Sequence, residues 1–350
     1  MAVKALILFS GGLDSILAAK VLMDQKIKVE GITFKSYFFD AEQAQKAAKE
    51  IGLPLKVIDI SKEHLKMVKN PKYGYGKAMN PCIDCHILML KVARQMQKNK
   101  VRQAGNSFSF VATGDVLGER PMSQNKQALE LIEKEAGLAG YLLRPLSAKL
   151  LKPTIPEKLG WVDREKLLDI RGRSRKRQIA LAQKYKIKKY PTPAGGCLLT
   201  DLEFGKRLKE LFKIYPKCDG NDIELLKLGR HFWQKLPNPG GTAQLRPVRN
   251  QRFLTGLRPA STQNRCENNW VKIIVGRNEE ENKKIKKLKK KGDILIEMKN
   301  YPGPLTLVRI YGKRAIKNLA IEKAKKLTQY YSPKARFKKD IEFNLKLGYN

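Results

Sequence analysis

Two groups of residues have types and spacings that could do chemistry. The first is Ser10-Gly11-Gly12-Leu13-Asp14-Ser15. Paired glycines directly after an apolar run let successive backbone amides point inward, and a helix starting there adds the positive end of its dipole. Such a turn cradles an anion, above all a phosphate. Neither the GxGxxG dinucleotide fingerprint nor the lysine of a Walker loop is present. The second group is Asn80-Pro81-Cys82-Ile83-Asp84-Cys85-His86, with Cys197 far along the chain in a Pro- and Gly-rich loop that begins at Pro191. Five cysteines, Cys82, Cys85, Cys197, Cys218 and Cys266, are an odd number. The apolar run Ala5 to Phe9 is too short for the core of a signal peptide, so structural disulfides are not expected and metal or redox chemistry is the question. For the same reason the CxxCH pattern is not expected to attach haem, a modification of exported proteins.

The elements that must position these groups read as an α/β unit. Ala2 to Phe9 is a buried strand and Ile16 to Met23 the helix after the glycine turn. Strands at Val29 to Phe34 and Leu55 to Ile60 flank a helix over Ala41 to Ile51, and Phe110 to Thr113 is a further buried strand ending in Thr113-Gly114-Asp115. This alternation predicts a parallel sheet with helices on both faces and ligands at the strand ends.

At this level the chain resembles the PP-loop ATPase superfamily (adenine nucleotide alpha hydrolase-like), whose SGG-x-DS loop holds the pyrophosphate end of ATP while a substrate is adenylated. Within it the resemblance is closest to the tRNA thiouridine synthetases of the 2-thiouridylase branch, over roughly residues 1–201. The resemblance implies ATP and Mg²⁺ as cofactors, with Ser10, Gly11, Gly12, Asp14 and Ser15 at the phosphates, Phe34 at adenine and Gly114 near the nucleotide. It implies Cys85 as nucleophile and Cys197 as persulfide carrier, with Asn80 and Pro81 beside the target base. Cys82 is a departure, since the 2-thiouridylase pattern commonly has an acid there. Cys82, Cys85 and Cys197 together resemble the ligand set of the iron–sulfur-dependent thiouridine synthetases, where three thiolates hold a [4Fe-4S] cluster. A cluster, an all-cysteine persulfide mechanism and a structural zinc with His86 as fourth ligand stay open at this point.

Further along, Arg171, Arg173, Arg175, Lys176 and Arg177 form a cationic stretch suited to RNA phosphates. Lysine is absent from Leu236 to Asn269, where Pro, Gly, Asn, Gln and Arg dominate, as expected of a disordered insert or linker; a reading-frame slip would leave the same composition. Val275-Gly276-Arg277-Asn278, Tyr301-Pro302-Gly303-Pro304 and Tyr330-Tyr331-Ser332-Pro333-Lys334-Ala335-Arg336 resemble, in shared order, the NFACT RNA-binding domain of the fibronectin-binding/ribosome quality-control family. The organisation expected is a PP-loop domain over 1–205, a helical extension over 206–235, the insert over 236–269 and a basic α+β domain over 270–350. A balance of 71 Lys and Arg against 33 Asp and Glu leaves a net charge of +38, and such a surface attracts polyanions. No run reaches the length of a membrane span, and the cytoplasm is the expected compartment. The function expected is ATP-dependent thiouridine synthesis in tRNA, fed by a cysteine desulfurase relay or sulfide. Two other readings stay open: a PP-loop sulfurtransferase or ligase acting on a small molecule, and a non-catalytic, RNA-binding or ribosome-associated nucleotide binder.

Overall fold

The computed structural model describes residues 3–101, 108–190, 197–236, 270–311 and 317–348. Most of the 236–269 stretch and the Gly195-Gly196 pair therefore lie outside the described residues. Two compact units divide the chain, Met1–Lys209 and Glu210–Asn350. Among the described residues no helix is long and apolar enough to cross a membrane.

The first unit is built on strands β1 (Lys4–Leu8), β2 (Lys28–Lys35), β3 (Leu55–Asp59), β4 (Phe110–Thr113) and β5 (Leu142–Leu143), all parallel in the order β3-β2-β1-β4-β5. Its helices are α1 (Leu13–Met23), α2 (Glu42–Ile51), α3 (Ser61–Lys69), α4 (Cys82–Val101), α5 (Lys126–Ala136), α6 (Ile155–Lys158) and α7 (Lys176–Lys184). The α/β expectation holds here. Both faces of the central strand are buried: Ala5 and Ile7 join one apolar cluster with α1 and α2, while Leu6 joins another with α4 and α5. That two-sided burial is why β1 and β4 read as continuous apolar runs instead of alternating ones. Strand order reverses between β1 and β4, so the loops leaving their C-terminal ends diverge and open a crevice there.

Two glycines let that crevice form. Gly11 sits at φ +73°, and a Cβ there would lie 2.7 Å from the Ala44 Cα. A Cβ on Gly114 would lie 2.6 Å from the Ser15 backbone nitrogen, so only glycine lets the end of β4 approach the start of α1 this closely.

Helix α8 (Leu202–Ile214) is followed by α9 (Gly220–Leu226) and β6 (Arg230–Lys235). Residues 206–235 thus end in a strand as well as helices, a difference from the purely helical expectation. The second unit closes with β7 (Trp270–Val275), α10 (Glu279–Lys287), β8 (Ile294–Met298), β9 (Thr306–Tyr311), α11 (Lys317–Tyr330) and β10 (Phe343–Leu347). Its sheet is antiparallel in the order β10-β8-β9-β7-β6. Successive β9 residues alternate between faces: Val308 packs with Ala320 and Ala324 of α11, Leu307 with Leu225 of α9 and Ile285 of α10. The buried Arg309 guanidinium bonds Asp293 through Nε at 3.0 Å and Asp222 through Nη1 at 2.7 Å, and the Tyr311 hydroxyl donates to the same Asp222 oxygen. A charge buried this way is tolerated because every partner is present.

Candidate nucleotide and thiol site

The turn after β1 is held from within. The Gly12 amide donates to the Ser10 hydroxyl at 3.3 Å, and the Ser15 hydroxyl donates to the Gly12 carbonyl at 2.8 Å. Gly12 is the extended residue before α1, so the first amides of that helix face the crevice at the positive end of its dipole. Burial raises the Asp14 carboxyl above its ordinary range, against the opposing pull of Arg175, whose Nη2 lies 3.7 Å from Asp14 Oδ2. Among the described residues Asp14 Oδ1 has no hydrogen-bond partner, and burial with Asp14 nearby also raises Glu119. Two carboxylates with an open oxygen beside a phosphate cradle suit a hard cation such as Mg²⁺, which takes one or two protein carboxylates plus phosphate oxygens.

A single cavity of about 570 Å³ runs from this turn to the cysteines. Its lining includes Ser10, Gly12, Asp14, Ser15, Phe34 and Gly114 at one end and Asn80, Pro81, Cys82, Cys85 and Cys197 at the other. Cys82 and Cys85 lie in the first turn of α4, where a spacing of three puts both on nearly the same face. Asp84 anchors that turn by accepting the Lys72 amide at 2.8 Å and the Tyr73 amide at 3.0 Å. Asn80 is committed internally: its Oδ1 accepts the Ala78 amide at 3.2 Å and its Nδ2 donates to Cys82 Sγ at 3.2 Å. Cys197 opens a short turn pinned to the first unit by the Leu198 amide, which donates to the Phe38 carbonyl at 3.0 Å.

The thiols are dry. Burial pushes Cys85 well above the usual thiol range, with the neighbouring Cys197 and Cys82 adding to it, and pushes Cys197 up to about 11. Behind Cys85 stands His64, fully buried, with Nε2 3.1 Å from Cys85 Sγ. Phe38 and Phe39 meet its ring edge-on at 5.5 and 5.2 Å, and burial pulls its pKa down to about 4, so the imidazole is neutral at physiological pH. Across the cavity Asp115 accepts from Thr113 at 2.8 Å and Gln124 at 3.1 Å. Burial alone would raise it, but His86, Arg144 and those hydrogen bonds hold it below the usual carboxylate range.

Of the cationic stretch, Arg175 alone enters the cavity, at its phosphate end; Arg171, Arg173, Lys176 and Arg177 are exposed, with Arg177 paired to Asp169 at 2.5 Å. Among the described residues no three His, Cys, Asp or Glu side chains are arranged to hold a metal ion. The Cys82 sulfur accepts from Asn80 and the Cys85 sulfur lies against His64. Sequence patterning assigned His64 no role, because a histidine inside an amphipathic helix carries no local signal. Asp115 lay in the strand end already singled out, yet nothing local marked it as the partner of Arg144 or His86.

Residues 3–187 match the tRNA methyl transferase HUP domain family. The chain belongs to that family. The HUP domain thus covers the phosphate turn, Cys82, Cys85 and Arg175, while residues 265–348 match a second family, the NFACT protein RNA binding domain. Among curated relatives, the tRNA-specific 2-thiouridylase MnmA of Syntrophotalea carbinolica is 34% identical over 96 residues, which are 23% of this chain and 27% of that protein. The MnmA of Caldicellulosiruptor saccharolyticus is 25% identical over 227 residues, 59% of each chain. The chain therefore spans less than two thirds of the length of these relatives. Among solved structures, a 4-thiouridine synthetase in complex with RNA and ATP overlays 63% of this chain and 53% of its own at 17% identity and a TM-score of 0.33.

Proposed function

We propose that the chain is an ATP-dependent tRNA sulfurtransferase, which adenylates a uridine carbonyl oxygen and replaces that oxygen with sulfur. The observation that carries this reading is the one cavity lined at one end by the Ser10 to Ser15 turn and at the other by Cys82, Cys85 and Cys197. Membership of the HUP family and the 2-thiouridylase relatives support it, and the NFACT match supports RNA contact by the second unit.

In this reading the amides at the start of α1 and the Arg175 guanidinium hold the pyrophosphate end of ATP, with Asp14 and Glu119 available to Mg²⁺, which would neutralise phosphate charge. Phe34 borders the adenine and Gly114 lets the nucleotide lie against β4. The uridine oxygen attacks the α-phosphate and pyrophosphate leaves, so the oxygen departs later as part of AMP. A persulfide on Cys197 supplies the terminal sulfur. Cys85 attacks the Cys197 sulfur, a disulfide closes between them, and the freed sulfur adds to the activated carbon; an external thiol then reopens the disulfide. His64 holds the Cys85 sulfur in place during that attack. Burial of both thiols keeps water from the adenylate and delays thiolate formation until substrate and persulfide are present. A persulfide relay from a cysteine desulfurase serves as donor, passing sulfur already at the persulfide level to Cys197, and the cytoplasm is the compartment that fits.

The test is mass spectrometry of tRNA nucleosides from a strain lacking the gene, complemented with the wild type or with Cys197→Ser. Loss of a thiouridine, restored only by the wild type, is expected. An unchanged set of thionucleosides in the deletion strain sinks the reading.

A further inference from the structure

On the second unit, the turn that follows α11 carries a cluster that the sulfur chemistry does not use. Phe337 is 90% exposed and Tyr330 is 55% exposed, although both are large aromatic groups whose burial would be favourable. The turn itself is firmly held. Ser332 and Ala335 are fully buried, and the Ser332 hydroxyl donates to the Pro302 carbonyl at 2.9 Å. The Gln329 amide nitrogen bonds the carbonyls of Ala335 at 3.3 Å and Lys338 at 2.9 Å, and the Arg336 amide donates to the Ser332 carbonyl at 3.0 Å. Phe337 is thus presented to solvent by an ordered turn.

Cations surround the two rings. Arg336 lies 4.9 Å over the Tyr330 ring while its Nε donates to the Tyr330 carbonyl at 2.7 Å. Lys334, Lys338 and Lys339 are exposed in the same turn, against one carboxylate, Asp340. Beside Tyr330, Tyr331 meets it at 5.0 Å and carries the Arg230 guanidinium 4.5 Å over its own ring.

We propose that the turn from Tyr330 to Lys339 is a stacking platform for unpaired RNA bases, with Phe337 and Tyr330 as the stacking faces and Arg336, Lys334, Lys338 and Lys339 as phosphate contacts. Exposed rings held rigidly among cations offer what single strands need: a π-face for each base and positive charge along the backbone. A duplex hides its base faces and would use the cations alone. A protein partner would want an apolar patch low in charge at its centre, and four cations in this turn argue against that. The inference rests on RNA contact by the second unit and is independent of the thiolation step.

The test uses the full chain and a labelled 12-nucleotide RNA, free or annealed to its complement, read by fluorescence anisotropy at several salt concentrations. The wild type is expected to bind the single strand more tightly than the duplex. Phe337→Ala and Tyr330→Ala should each weaken single-strand binding by about 5- to 150-fold, the range for losing one stacked base, with the salt dependence unchanged. Lys338→Ala with Lys339→Ala should instead flatten the salt dependence, by about 0.7 in the log–log slope for each phosphate left without its cation. Far-ultraviolet circular dichroism checks that the variants are folded; at 90% exposure Phe337 has little packing to lose. If single-strand affinity survives both ring substitutions, or duplex binds as well as single strand, the platform is refuted while RNA contact stands. If neither RNA binds, both are refuted, and a change in oligomeric mass on Phe337→Ala would identify the turn as a protein contact.

Discussion

Gly114→Ala puts the geometry of the phosphate site to its most direct trial. The added Cβ would stand 2.6 Å from the Ser15 nitrogen, 2.7 Å from its Cα and 2.8 Å from the Asp14 carbonyl carbon. All three neighbours are backbone, so no side chain can swing aside. To regain ordinary contact, the end of β4 and the start of α1 must part by roughly 0.8 Å, on a potential where such a displacement forfeits a sizeable share of each contact. Because α1 is packed into the core through Leu13, Ile16 and Leu17, the strain is shared between core and site, and overpacking of this kind costs about 1–3 kcal/mol. The same movement shifts the helix-end amides away from the phosphates, and losing one hydrogen bond to a charged group costs about 1.5–3 kcal/mol, roughly 10- to 150-fold in ATP affinity. Urea unfolding followed by tryptophan fluorescence and circular dichroism measures the first effect, and calorimetric titration with ATP the second. Gly52→Ala is the control: that glycine has φ +67° with nothing within 4 Å, so the variant should lose about 1–2 kcal/mol of stability and keep its ATP affinity. If Gly114→Ala matched the wild type within twofold in ATP affinity and within about 0.5 kcal/mol in stability, the spread of neutral surface changes, the close approach would be wrong.

Three other outcomes follow from the charges and thiols. His64 takes a proton near pH 6.5 in the unfolded chain but only near 4 when folded, so between these values the unfolded state binds more protons and stability falls as pH falls; the loss should approach about 3 kcal/mol, and His64→Phe should remove that slope from urea melts at pH 7, 6 and 5. Cys197, raised by burial to about 11, should react with iodoacetamide at pH 7.5 at about one hundredth of the rate of a peptide thiol, accelerating as pH rises toward 11, and Cys85, raised in the same direction, should also react slowly, as read by peptide mapping. Fast alkylation of either would contradict the raised thiol pKa values. Arg309→Met strands the buried Asp222 and Asp293 and should destabilise the second unit by about 3–5 kcal/mol, visible as early proteolysis within residues 270–348, whereas a wild-type cleavage pattern would show that the pair is dispensable.

Local signals make the phosphate turn, the first three strands and β4 readable from the amino-acid order alone. Glycine pairs have few uses after a buried strand, and apolar runs of strand length report burial on two faces. The same signals mark the strands of the second unit except β6 and β10. In β6 five residues are partly exposed and Lys235 is exposed, three of five β10 residues are exposed, and both strands lie at the edges of their sheet. No apolar period marks such strands. Arg175 shows the reverse limit, since in sequence it is one arginine among several. It is set apart by the packing of α7 against α1, which carries it to Asp14 and leaves its neighbours outside.

An anion cradle after the first strand, cysteines able to do sulfur chemistry far apart in the chain, and a surface that favours polyanions are all legible in the amino-acid order. These follow from residue type and short-range spacing. That cradle and cysteines open into one cavity, that His64 stands behind Cys85, and that Gly114 touches the start of α1 emerge only once the chain is folded. Each is a contact between residues remote in the chain. Sheet order and helix packing set such contacts, and the local patterns that identify each element are silent on which elements meet.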